Sequence, residues 1–173
     1  MNVTPLEKLN ACGDAVEWAR AQPSRQVAWD KCERGDWMLW ILDRTCKLNS
    51  PTHRKLVVTT CACARLSLKY VTKGERRPLI AIQTAERWAR GLATIQEVRM
   101  AAYAAWAVAA GGGAAAAAAY AAVDADAAYA AVAAVVAADA YAAVDADAWV
   151  VRKNTLKRCA IIVRKYFSKP PKG

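Results

Sequence analysis

Of the fifty residues from 101 to 150, 29 are alanine, against 11 in the first hundred residues. Alanine is the strongest helix former and offers no branched or aromatic side chain for a pleated surface, so such a tract specifies helix and excludes a sheet-based core. The same tract carries Tyr103, Trp106, Tyr120, Tyr129, Tyr141 and Trp149. These aromatic anchors favour packed helices over an unstructured spacer. An internal repeat runs through it: the octad that starts at Tyr120 recurs at Tyr141, twenty-one residues on. Three heptads return the second copy to nearly the same helical face, so its tyrosines and valines can form one seam. Alanine lets helix axes approach to about 8 Å, the near end of the usual range. The expected fold class is therefore all-α: a compact multi-helix bundle with an alanine-rich, tightly packed central helical segment.

The first hundred residues carry helix start and stop signals at short intervals. Thr4-Pro5-Leu6-Glu7 combines a capping threonine, a proline in the first turn and a glutamate able to return a bond, which predicts a helix to about Ala21. Ser24 caps a helix through Val27, Trp29 and Cys32; Gly35-Asp36 marks a break before Trp37, Trp40 and Ile41 resume. Ser50-Pro51 opens a helix to about Val71, stopped by Lys73-Gly74, and Pro78 opens another that ends at Gly91. Thr94 to Glu97 is a second capping box leading into the alanine tract. The tryptophans at these spacings are expected as core anchors, with Trp29, Trp37 and Trp40 as the alternative choice for an interface hot spot. One domain is expected over 1–173, with capped helices over 4–91, alanine-rich helices over 94–150, a basic amphipathic helix over 151–168 and a tail over 169–173.

Chemistry is sparse. Six cysteines with no apolar leader at the N-terminus point to reduced thiols in an intracellular, cytoplasmic protein. Cys61 and Cys63 stand two apart on a helix, about 200° from each other, and His53 is the single histidine, so no metal or other cofactor is expected. His53 itself is expected on the solvated surface of the first turn of its helix. Asp124 with Asp126, and Asp145 with Asp147, have the spacing of a cation site, but residues two apart on a helix face opposite sides; they are expected to solubilise the tract. Arg34-Gly35-Asp36 is explained by the helix break. The uncharged run Met100 to Val123 could span a bilayer by length, but its alanine content, its three consecutive glycines and the aspartates that follow argue for a soluble chain without a membrane partner. No enzymatic activity is expected.

Charge is the strongest remaining feature, at +10 overall. The segment 101–151 holds five acidic and no basic residues, whereas 152–173 holds eight basic and none acidic. On the C-terminal helix Leu156, Ala160, Val163 and Phe167 form an apolar stripe, and Lys153, Lys157 and Arg164 lie together on another, widened by Arg158 and Lys165. These five cations are the expected partner-binding residues. An acidic protein or the phosphates of a nucleic acid would answer them. Self-assembly through alanine seams is a third outcome.

Several segments carry a family resemblance: Leu9-Asn10-Ala11-Cys12, Cys32-Glu33-Arg34-Gly35-Asp36-Trp37-Met38-Leu39-Trp40, the run Arg54-Lys55-Leu56-Val57 with Cys61-Ala62-Cys63-Ala64-Arg65-Leu66, and Ala81-Ile82-Gln83-Thr84-Ala85-Glu86-Arg87-Trp88-Ala89-Arg90-Gly91. With Lys157-Arg158-Cys159-Ala160-Ile161-Ile162-Val163-Arg164-Lys165-Tyr166, the chain resembles a family of alanine-rich predicted immunity proteins of bacterial and phage genomes. The resemblance implies a non-enzymatic protein that binds and neutralises a protein toxin or a host defence effector. A basic nucleic-acid-binding protein using the C-terminal helix is the alternative.

Overall fold

The computed structural model describes residues 1–71, 73–106 and 148–172. Among these the regular elements are eight α-helices and one 3₁₀ turn, with no strand. The chain is all-α and built by helix-on-helix packing.

The expected first helix is two. α1 (Thr4–Lys8) stops where Asn10 turns left-handed at φ 59°, and α2 (Gly13–Arg20) begins anew. The Asn10 amide donates to the Glu7 carbonyl at 2.9 Å and the Ala11 amide to the Leu6 carbonyl at 3.0 Å, the two reverse bonds of a Schellman stop. Asparagine tolerates this conformation better than other residues with a side chain. Thr4 lies inside the first turn and does not cap it; Asn2 Oδ1 accepts from the Thr4 amide instead.

Most of the other signals hold. Ser24 Oγ accepts from the Val27 amide ahead of α3 (Arg25–Lys31), and Ser50 Oγ from the His53 amide ahead of α5 (Pro51–Ala64). Between them, α4 (Gly35–Thr45) starts at Gly35, which places the break one step earlier than expected, over 32–34. α5 gives way to a 3₁₀ turn over Arg65–Tyr70 where an α-helix to Val71 was expected. The tighter winding swings Leu66 and Leu68 nearer to one face, and both pack on the same core. α6 (Arg77–Ala89) ends in a second Schellman stop, with Gly91 at φ 76°. α7 (Ile95–Trp106) opens on the predicted box: Thr94 Oγ1 accepts from the Glu97 amide, while the Glu97 carboxylate accepts from the Thr94 amide at 2.6 Å. α8 spans Ala148–Tyr166.

α5 is the central post, and its two sides serve two cores. Val57, Cys61 and Ala64 pack with Ala81, Ile82, Ala85 and Trp88 of α6 and with Val98, Ala102 and Ala105 of α7. Leu56 and Cys63 pack with Met38, Leu39 and Leu42 of α4 and with Leu156, Cys159, Ala160 and Val163 of α8. Each fully buried Leu or Ile here contributes about 1.5–3 kcal/mol. Phe167, predicted on the α8 stripe, is half-buried at the edge of this core. A third, smaller cluster joins Val3 to Val16 and Ala19 of α2.

α4 packs closely on α8 at Gly35. A Cβ built on Gly35 would stand 2.5 Å from Cys159 Cβ and 2.7 Å from the Ala160 amide nitrogen. In α7 the start of the alanine tract packs as expected at Ala102 and Ala105, which are wholly buried, whereas Tyr103, expected as a packing anchor, is exposed because it stands on the opposite face of the helix. The rest of the tract, with its repeat, its tyrosines from Tyr120 onward and its aspartates, lies outside the described residues. Among the described residues no helix is long and apolar enough to cross a membrane.

Candidate functional site

The five cations predicted to bind a partner do not form one surface. Arg164 turns inward: its Nη1 donates to the Cys32 carbonyl at 2.7 Å and the Trp29 carbonyl at 3.2 Å, closing the C-terminal end of α3. Lys157 pairs with Glu33 at 2.9 Å. Lys153, Arg158 and Lys165 are exposed, on two sides of α8. Arg164 thus serves the fold, where a cation and five donors satisfy carbonyls that the helix end leaves unpaired.

His53 is buried, not solvated. Its Nδ1 accepts from the Asn49 amide at 3.2 Å, and its ring meets Trp88 edge-on with centroids 5.7 Å apart. Burial, and then the positive charge of Arg54, push its pKa down. A neutral ring suits that acceptor role. Four thiols are pushed toward their neutral form as well. Burial raises Cys32, Cys46 and Cys61, and Cys63 is raised first by its hydrogen bond to Cys159 and then by burial. The described cysteines are all free, and no three metal-ligating side chains gather among the described residues.

The most distinctive constellation lies where α2, α3, α4 and the start of α8 meet. Trp18 of α2 and Trp37 of α4 stand 6.1 Å apart, tilted by 55°. The Arg34 guanidinium lies over the Trp37 ring at 4.3 Å and grips Asp36 through both ends of its fork, Nε to Oδ1 at 2.9 Å and Nη2 to Oδ2 at 2.6 Å. Asp36 is buried in the first turn of α4, where its charge also meets the positive helix end. Because the fork is planar and held at two points, Arg34 is fixed as a wall over the indole.

Two cavities share that wall. One, of about 340 Å³, is mostly apolar, with Leu6, Trp29, Trp40 and Ile41 around it. The other, of about 550 Å³, opens beside it and is edged by Lys31, Arg152 and Lys153, with Glu33 as its one carboxylate among the described residues. Trp29 is locked behind the first by a 2.7 Å bond from Nε1 to the Phe167 carbonyl. An apolar chamber next to a cationic cleft on fixed helices is suited to recognition: it can seat a bulky side chain and hold negative charge beside it.

Sequence reasoning found Lys153 at this place and named Trp29, Trp37 and Trp40 as hot-spot alternatives, of which Trp29 is buried in the core, but it missed Trp18, Lys31 and Arg152. The signal was the interleaving of Lys31 and Arg34 with Trp29 and Trp37, which a reading of Arg34-Gly35-Asp36 as a simple break passed over. No protein-family model, curated protein or solved structure matches the chain.

Proposed function

We propose that the protein is a non-enzymatic inhibitor of the immunity type, which acts in the cytoplasm by binding and neutralising a protein toxin or defence effector. The observation that carries this reading is the pairing of the tryptophan chamber with the cationic cleft across the Trp18, Arg34 and Trp37 wall. The likeness of its tryptophan and Ala-Glu-Arg-Trp-Ala-Arg-Gly segments to predicted immunity proteins supports the same class. Aromatic and arginine side chains in a partly desolvated pocket are the usual anchors of a protein interface, and surrounding charge steers the partner.

The test is reconstitution. A protein captured in stoichiometric amount on the immobilised chain is isolated and assayed for its own activity with and without the chain. Inhibition at one-to-one stoichiometry supports the reading; turnover of a substrate by the purified chain overturns it. Retention of nucleic acid alone, with affinity falling steeply in salt, would favour the nucleic-acid alternative.

A further inference from the structure

We propose that the cleft beside Trp18 and Trp37 receives an acidic, extended segment of the protein partner, with one bulky apolar side chain of that segment seated in the adjoining chamber. The inference rests on the inhibitor reading above and names the chemistry recognised.

Charge complementarity comes first. Among the described residues the cleft's one carboxylate, Glu33, is satisfied by Lys157, and Arg34 is satisfied by Asp36. Among the described residues Lys31 and Arg152 have no ion-pair partner, so the cleft keeps a positive surplus that an acidic segment would answer. Size comes second. The chamber's volume of about 340 Å³ admits a phenylalanine or leucine side chain, and it shares Trp18, Cys32, Arg34 and Trp37 with the cleft. One segment can therefore reach both without the helices moving.

The aromatic geometry selects a peptide over a nucleic-acid strand. Base stacking needs an open indole face. Here Arg34 covers Trp37 and Trp18 leans on it at 55°, so the pair is a wall and not a platform. Both side chains are held before any partner arrives, which lowers the ordering cost of binding.

The experiment uses the full chain and synthetic probes: a short Asp/Glu-rich peptide with one central phenylalanine, the same peptide with alanine there, and oligothymidylate. Binding is read by tryptophan fluorescence at low salt. The phenylalanine peptide is expected to bind, with alanine weakening it about tenfold through the lost apolar burial. The exposed double variant Lys31→Glu/Arg152→Glu is expected to bind about tenfold more weakly while keeping its helix signal and melting temperature. Should the double variant melt early, Lys31→Gln alone provides the comparison. Equal binding by the variant, no peptide binding, or oligothymidylate binding as well as the peptide overturns the assignment. A captured partner still fully inhibited by the double variant sinks the cleft and keeps the inhibitor reading; peptide binding in the cleft with no partner inhibited does the reverse.

Discussion

Gly35 and Cys159 bring α4 and α8 so close that a single methyl group on the glycine would stand 2.5 Å from Cys159 Cβ and 2.8 Å from its carbonyl carbon. Backbone cannot yield as a flexible side-chain end can, so the helices must part. Gly35→Ala is expected to lower stability by about 2 kcal/mol, the usual cost of overpacking, measured as a drop in the urea midpoint. Gly13→Ala is the control: nothing lies within 4 Å of its added methyl group, and stability should hold or rise.

Arg164→Ala is expected to cost about 2 kcal/mol, because charge-assisted bonds to the Cys32 and Trp29 carbonyls vanish and leave the end of α3 open. Arg158→Ala removes an exposed cation on the same helix and should change stability by less than about 0.5 kcal/mol. Chemical denaturation of both variants makes the comparison, and equal effects would contradict the inward role of Arg164.

His53 sets a pH dependence on the mild side of neutrality. The unfolded imidazole gains its proton near pH 6.5, as a model histidine does. Burial beside Trp88, with Arg54 nearby, holds the folded ring neutral to lower pH. In the interval between those two values the unfolded chain binds more protons, so stability present above about pH 6.5 is lost as pH falls through it. Proton NMR of the ring should give a midpoint below that of a free histidine, and a midpoint above it would contradict the burial.

A separate acid window belongs to Glu75 and Glu97. The Arg77 guanidinium, helped by the Arg77 amide, holds Glu75 down to about 2. The Thr94 amide and then its hydroxyl lower Glu97. Folded-state carboxylates lowered in this way stabilise the protein above the ordinary glutamate range and lose that contribution as pH falls below it. Glu97 is solvent-exposed and Glu75 is half-buried against an exposed arginine, so the effect is modest and shrinks in salt. Thermal melts of Glu75→Gln from pH 5 to pH 2 should show a flatter decline than the parent protein, and parallel curves would exclude the pairing. At Thr94, loss of the cap in Thr94→Ala is expected to cost about 1 kcal/mol.

Local rules carried the sequence reading where the partner of a group is a few residues away. Ser24, Ser50 and the box of Thr94 and Glu97 cap as expected because donor and acceptor lie three residues apart. The Leu156, Ala160 and Val163 stripe is buried because helical period alone assigns one face. The stop at Asn10 was within reach of the same rules, since asparagine after Leu9 is a permitted left-handed cap. Arg164 and His53 were not within reach. Their surroundings come from α3 and α6, far along the chain, and periodicity cannot report which neighbour a helix will meet. The candidate site shares that difficulty, because Trp18, Trp37 and Arg152 come from three helices and become a cleft only when those helices pack.

The bond from Trp29 to the Phe167 carbonyl joins residues 138 positions apart. Translation at about 5–20 residues per second puts roughly 7 to 30 s between the synthesis of its two ends. Once α4 has left the ribosome, Met38 and Leu39 lack the helix that roofs them until α8 has been made. The chamber, whose lining includes Pro170 and whose Trp29 is tied to Phe167, is thus among the last places to be finished.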